Sequence, residues 1–285
     1  MDPMHLIERQ AERTDSRILY LVMDGLGDLP RDDDGLTPLA AAHTPNLDRL
    51  ADDGCCGRCD PVGPGITPGS GPGHLGLFGY DPSEIEIGRG VLSAVGIDFA
   101  LAPGDVAARF NFCTLDAAGN ITDRRAGRIL TAENRRLVAR LREIPAPAGV
   151  EIFVETEAEH RGALVIRGSD LAPFVADTDP QHTGVPPLAV TATRPEAAAT
   201  AAIVANFVAR AHTILRGETR ANGLLLRGFD SLPQIPSLTE RFKLRPACIA
   251  TYPMYRGLAR LVGMDMPPAP PALADFPAAL HAALP

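Results

Sequence analysis

The sequence predicts an α/β fold built on a parallel sheet, with a second, α+β segment inserted into it. Two observations carry that reading. Residues 17–23 (Arg-Ile-Leu-Tyr-Leu-Val-Met) form an apolar, β-rich run that does not alternate. Such a run reads as a strand buried on both faces, and strands of that kind belong to parallel sheets covered by helices. Between about 105 and 190 the pattern changes to strand, polar turn, charged helix and a further pair of strands, which reads as an inserted unit. At 285 residues the chain is long enough for a full core and two domains.

Composition narrows the function classes. Hydrophobic residues make up 45% and charged residues 22%, as in a soluble globular protein. A net charge of −8 argues against a nucleic-acid or membrane-surface partner, although a local arginine cluster can still dominate its own pocket. No apolar run reads as long enough to span a membrane, and residues 1–13 are too polar for a secretory leader. The five cysteines, Cys55, Cys56, Cys59, Cys113 and Cys248, are odd in number and scattered, which predicts reduced thiols in a cytoplasm. Cys56-Gly-Arg-Cys59 has no second pair at a zinc spacing and reads as loop cysteines.

Taken in order, the first strand stops at Asp24-Gly25-Leu26-Gly27-Asp28, an acidic loop at the strand end where open α/β sheets place ligands. Asp32, Asp33 and Asp34 read as solvated loop. Thr44 suits a helix N-cap, Pro45 the first helical position and Gly54 the stop. Next comes Pro64-Gly-Ile-Thr-Pro-Gly-Ser70-Gly-Pro72-Gly-His74-Leu75, a Gly/Pro run with a central hydroxyl that leads into apolar residues at helical spacing. Pro72 falls in a first turn that tolerates a missing N–H, which puts Ser70 at a helix mouth favouring an anion. The plainer alternative is a serine that merely caps that helix.

Further on, 106–115 reads as a strand, 116–120 as a turn and 131–143 as a helix. Residues 150–154 and 163–167 read as strands around a polar turn at 155–161. Thr193-Arg194-Pro195-Glu196 reads as a capping box before an amphipathic helix with Ile203, Phe207, Ala211 and Ile214 on one face. Residues 222–229 and 243–250 read as strands, and a helix runs through Gly257, Leu258 and Leu261. Residues 267–285 hold six prolines, which predicts a mobile tail with at most a short helical turn near 278–284.

The motifs together carry a resemblance. Asp24-Gly25, Thr44-Pro45-Asn46-Leu47-Asp48 and Pro68-Gly69-Ser70 with His74 follow the amino-terminal pattern of the alkaline phosphatase superfamily. Phe78-Gly79-Tyr80-Asp81-Pro82, Gly88-Arg89-Gly90, Phe110-Asn111-Phe112, Asp123-Arg124-Arg125-Ala126-Gly127-Arg128, Glu159-His160-Arg161, Asp177-Thr178-Asp179-Pro180 and Leu226-Arg227-Gly228 narrow it. From about 17 to 264 the chain resembles the archaeal-type, cofactor-independent phosphoglycerate mutases. The resemblance implies an alkaline-phosphatase-like parallel sheet, incomplete here, with residues 105–190 as an inserted lid over segments 1–104 and 191–266, and 267–285 as a tail.

It also implies interconversion of 2- and 3-phosphoglycerate through a phosphoserine on Ser70, with two divalent cations (Mn²⁺, Mg²⁺, Co²⁺ or Zn²⁺). Asp24 and Ser70 would be metal ligands, since coordination makes a weak serine nucleophile alkoxide-like. A doubly anionic phosphoglycerate needs planar bidentate donors. Arg89, Arg124, Arg125, Arg128, Arg161 and Arg227 are the candidates, with Arg256 carried over from the run 252–257. Asp123 and His160 are the acid–base candidates. His74 reads as supporting structure.

Two departures qualify the resemblance. Gly71-Pro72-Gly73 follows Ser70 where a polar Asp-Thr pair is expected, and the family's later Asp/His metal motifs have no counterpart, His281 being the only histidine after His212. The expectation is therefore a chain that lacks the carboxyl-terminal ligands and the later strands, inactive and weak in metal binding by itself. Alternatives are a metal-dependent phosphatase of the same superfamily and a non-catalytic remnant or binding protein. A homo-oligomer is left open.

Overall fold

A computed structural model describes residues 3–284 of the chain, and a five-stranded sheet forms its centre. The strands are β1 (Val106–Leu115), β2 (Ile121–Asp123), β3 (Val150–Ala158), β4 (Arg161–Gly168) and β5 (Gly223–Asp230). β1 lies between β4 and β5, β3 flanks β4, and β2 pairs with the far end of β1. The sheet takes β5 from beyond residue 190. The α-helices among the described residues are α1 (Pro3–Gln10), α2 (Pro38–Ala41), α3 (Pro45–Asp53), α4 (Ser70–Leu77), α5 (Arg89–Gly96), α6 (Thr131–Leu141), α7 (Ala198–Leu215), α8 (Leu238–Phe242), α9 (Pro253–Leu261) and α10 (Phe276–Ala283).

The mixed α/β class is as expected, but the sheet is not parallel. Every pairing between the five strands is antiparallel. β3 and β4 are joined by Glu159-His160 alone, and a connection that short can only return the chain antiparallel. The expected polar turn at 155–161 shrinks to those two residues, because residues up to Ala158 still find partners on β4.

Residues 17–23 form no strand. Residues 18–23 join no ladder with the described strands, with Ile18 79% and Leu21 70% exposed. An apolar run supplies the side chains for a buried strand, but the ladder needs a neighbouring backbone, and none of the described strands offers one. Residues 243–250 are likewise no strand, and keep one bridge, Ala247 to Asp265. The tail carries α10, with Pro277 in its first turn and no buried residue. α3 starts and stops where expected, although Thr44 Oγ1 donates to Asp48 Oδ1 (2.9 Å) instead of capping a backbone N–H.

Alternation along β1 divides the molecule into two sides. Ala108, Phe110 and Phe112 face the largest core, which they share with Leu137, Val138 and Leu141 of α6 and Val204, Phe207, Ala211 and Leu215 of α7. The expected capping box before α7 is not made: Thr193 Oγ1 donates to the Phe174 carbonyl (3.0 Å), and a 3₁₀ turn opens the helix. Pro195–Leu215 is, contrary to expectation, long and apolar enough to cross a membrane, yet one face of it fills this core.

The other face of β1 packs Ala107 against Val91 and Ala94 of α5, then presents Arg109 and Asn111. Two glycines allow the layers above it to come close. A Cβ on Gly90 would stand 2.2 Å from the Ala107 carbonyl oxygen, and one on Gly257 2.4 Å from that of Leu92. α5 is thus pressed onto the sheet and α9 onto α5. Leu75 of α4 joins Leu92, Leu258 and Val262 in a third layer. This stacking brings Arg89 and the start of α9 to the polar face of the sheet.

Candidate active site

The polar face of the sheet is arginine-rich because of register. Arg109 on β1 stands directly opposite Arg227 on β5, and Asn111 opposite Arg161 on β4, so these side chains share one face. Arg89 is the first residue of α5, whose cap N–H, that of Gly88, donates to Asp230 Oδ2 (2.6 Å). Burial, followed by the nearby Arg227, pushes the Arg89 guanidinium below its ordinary value. Four arginines therefore converge from four elements.

Arg227 and a fifth arginine, Arg124, have built-in counter-ions. Asp179, its side chain fully buried, accepts from Arg124 Nε (2.8 Å) and Nη2 (2.6 Å) as a two-pronged pair. Arg227 Nη1 lies 3.6 Å from Asp179 Oδ2, and its Nε 3.4 Å from Asp177 Oδ2. Burial raises the Asp179 carboxyl, but the hydrogen bonds from Arg124 and the Gln181 N–H outweigh it, and the net shift is downward. Thr178 exchanges hydrogen bonds with Leu226, which straps this acidic segment to β5.

The loop 124–128 is shaped by Asp123. Its Oδ1 accepts from Arg125 N (2.7 Å) and its Oδ2 from Gly127 N (2.6 Å). Ala126, Gly127 and Arg128 all have positive φ, a conformation that the two bonds hold in place. Arg125 and Arg128 are thereby displayed at the surface. Both Asp123 oxygens are engaged with backbone, whereas the buried His160 Nδ1 makes no hydrogen bond and lies 3.7 Å from Glu159 Oε2. Burial, then Arg161, Arg125, Arg128 and Arg109, lower the His160 pKa to about 4, so the ring is neutral near pH 7. Arg256 is turned away, donating to the carbonyls of Ala250 (3.1 Å) and Pro267 (3.4 Å).

Asp24 and Ser70 meet at Tyr255. The Tyr255 hydroxyl donates to Asp24 Oδ2, and the Ser70 side chain hydrogen-bonds the same hydroxyl. Burial first, then donation to Asp24, push this phenol up to about 12, so it keeps its proton. His74 stacks on the Tyr255 ring (4.6 Å, 28°), and its Nδ1 lies 2.7 Å from the Ser70 carbonyl oxygen. The Tyr252 ring meets Tyr255 edge-on at 5.0 Å, and its hydroxyl accepts from Arg161 Nη1 (3.3 Å). A continuous line of contacts thus joins Ser70 to the arginine face. Ser70 itself is exposed on the first residue of α4.

The sequence reading missed Tyr252, Tyr255 and Arg109. A charged residue in the middle of Val-Ala-Ala-Arg-Phe was a readable signal, and so was a Tyr-Pro-Met-Tyr start to a helix. The expected pair of divalent cations finds no matching shell here. Tyr255 holds one Asp24 oxygen, and among the described residues no three His, Cys, Asp or Glu side chains converge as a metal site. The residues present do not fit that pair of ions.

Comparison with known proteins bears on these residues. The profile of the 2,3-bisphosphoglycerate-independent phosphoglycerate mutase family matches residues 51–220. Proteins described as probable 2,3-bisphosphoglycerate-independent phosphoglycerate mutases from Thermus thermophilus and Deinococcus radiodurans are each 50% identical, over 94% of this chain and 66% of their own length. The chain therefore spans just under two thirds of these relatives. Among solved structures, the cofactor-independent phosphoglycerate mutase of Thermoplasma acidophilum is 36% identical with a TM-score of 0.58, over 86% of this chain and 68% of that one. The PH0037 protein of Pyrococcus horikoshii is 31% identical with a TM-score of 0.68, over 87% and 60% respectively.

Proposed function

The chain belongs to the 2,3-bisphosphoglycerate-independent phosphoglycerate mutase family, and from that premise we propose that Ser70 and the arginine face together serve phosphoryl transfer between the 2- and 3-positions of phosphoglycerate. The observation that carries the proposal is the line Ser70–Tyr255–Tyr252–Arg161, which joins a hydroxyl at a helix mouth to a cluster of guanidinium groups. Phosphoglycerate carries two anionic ends, and the site offers both kinds of seat. The start of α4 has free backbone N–H groups for a phosphoryl group next to the Ser70 Oγ that would accept it. The arginines hold the glycerate while its second hydroxyl comes round to take the group back.

Of the two acid–base candidates, His160 keeps the role better: its ring is neutral near pH 7 and so able to take up a proton, whereas both Asp123 oxygens are held by backbone N–H groups. Asp123 acts through the loop that displays Arg125 and Arg128. The proposed lid is the antiparallel sheet with α6 and α7, which reaches past the expected 105–190 to take in β5, and the flanking segments are the proposed phosphatase-like part. The setting proposed is cytoplasmic, with a small-molecule partner and neither nucleic acid nor membrane. A phosphatase is the second reading, favoured by the exposure of Ser70, since water reaching a phosphoserine would end the reaction in hydrolysis.

With one oxygen of Asp24 bound to Tyr255 and no metal set converging among the described residues, the 285-residue chain is expected to bind 3-phosphoglycerate without turning it over. The same chain with a family carboxyl-terminal segment appended after Met264 should form 2-phosphoglycerate. Intact mass after brief exposure to substrate should show one added phosphate, absent in Ser70→Ala. Release of free phosphate instead would select the phosphatase. Full turnover by Ser70→Ala would remove the nucleophile assignment.

A further inference from the structure

Arg109 is a sheltered arginine whose Nε the fold leaves without a partner. Arg124 has both oxygens of Asp179, Arg227 has Asp177 and Asp179, and Arg167 has both oxygens of Asp105. Arg109 has no such partner. Its Nε is buried and makes no hydrogen bond. Glu157, the opposite charge that acts on it most, has its Oε2 already accepting from Ser93 Oγ (2.8 Å). Around it stand Arg89, Arg161 and Arg227, all of its own sign. A guanidinium stays charged at any ordinary pH, so a sheltered cation in such company is costly until an anion joins it. The side chain is only partly covered, which leaves a ligand access to it.

We propose that Arg109 determines specificity by receiving the carboxylate of the substrate, flanked by Arg161 and Arg227. The assignment rests on the mutase reading for the position of the phosphate. The reacting phosphoryl group has to lie at Ser70, and Tyr255, which touches Ser70, leads through Tyr252 to Arg161, a neighbour of Arg109. The second anionic end of the same molecule is then assigned to the arginine face, where Arg109 is the arginine with a buried, unpaired Nε. An arginine fork matches a carboxylate with two parallel N–H bonds.

The test is calorimetric titration of the 285-residue chain and its Arg109→Met and Arg109→Lys variants with three probes: 3-phosphoglycerate, glycerol 3-phosphate, which lacks the carboxylate, and glycerate, which lacks the phosphate. Arg109→Met should lose about tenfold or more in affinity for 3-phosphoglycerate, roughly 1.4 kcal/mol, and less than about twofold for glycerol 3-phosphate. Its melting temperature should hold or rise, because an uncompensated cation has gone. Equal weakening toward both phosphates, or none toward either, overturns the assignment. Should Arg109→Met melt lower, Arg109→Lys decides: selective loss of 3-phosphoglycerate at the parent melting temperature supports the seat, and unchanged affinity or a lower melting temperature overturns it. If the parent ignores 3-phosphoglycerate but binds glycerate through Arg109, the mutase reading falls and the carboxylate seat stands. Binding of neither overturns the seat as well.

Discussion

Asp179→Asn is expected to lower the stability of the chain by roughly 2–4 kcal/mol, the loss seen when one partner of a buried ion pair is removed, reduced because Arg124 is partly solvated. Asp179 is fully buried and neutralises Arg124 through two short hydrogen bonds while standing near Arg227. An asparagine keeps the shape and withdraws the charge, so Arg124 and Arg227 lose a counter-ion together, and Arg227 already stands beside Arg89 and Arg109. Urea unfolding at neutral pH measures the effect. Replacing both partners, as Arg124→Met with Asp179→Leu, should cost less than the single change, because no charge is then left unpaired. A single variant as stable as the parent would mean that the pair contributes nothing.

Acid is the second large lever. His160 has a pKa of about 4 in the fold against an ordinary 6.5, so between those values the unfolded chain binds more protons than the folded one. Stability is therefore fully present above pH 6.5 and lost progressively as pH falls toward 4, by up to about 3 kcal/mol. The physical cause is that a protonated ring would have to sit, out of water, among Arg161, Arg125, Arg128 and Arg109. His212 on α7 is also lowered by burial and adds in the same direction. The lowered Asp179 carboxyl acts in a separate, more acid window, since its unfolded value is already 3.8. Unfolding free energies measured from pH 7.5 to 4 should fall for the parent and flatten in part for His160→Gln. An unchanged slope in that variant would place the acid sensitivity elsewhere.

What the sequence made legible was local. β1 runs over the residues that alternation and β-propensity marked, and α3 begins at Pro45 because a proline suits a first helical position. The apolar face of α7 was readable from residues recurring at three and four, and α9 from its run through Gly257, Leu258 and Leu261. Residues 17–23 show the limit: an apolar β-rich run specifies a strand only if another backbone lies beside it, and pairing is a long-range property. The direction of the sheet was misread because it was inferred from that run, whereas the sheet is built by hairpin and long-range antiparallel pairings among other strands.

The site divides in the same way. Asp24 and Ser70 were recognisable from their loops, but the residue that joins them, Tyr255, lies far away in the chain. Arg124 stood out in an arginine-rich loop, and nothing near it announced that Asp179, 55 residues on, would occupy its fork. Arg109 was concealed by its own strand, since reading Val-Ala-Ala-Arg-Phe as a strand says nothing of what faces the arginine.

The central claim is that Ser70 and the arginine face are one site with two anion seats. A crystal structure of the 285-residue chain with 3-phosphoglycerate tests it most directly. The account predicts the phosphate at the start of α4 within reach of Ser70 Oγ, and the carboxylate on Arg109, Arg161 and Arg227. A ligand lying with its phosphate among those arginines and away from Ser70, or held only by the exposed Arg125 and Arg128, would contradict it.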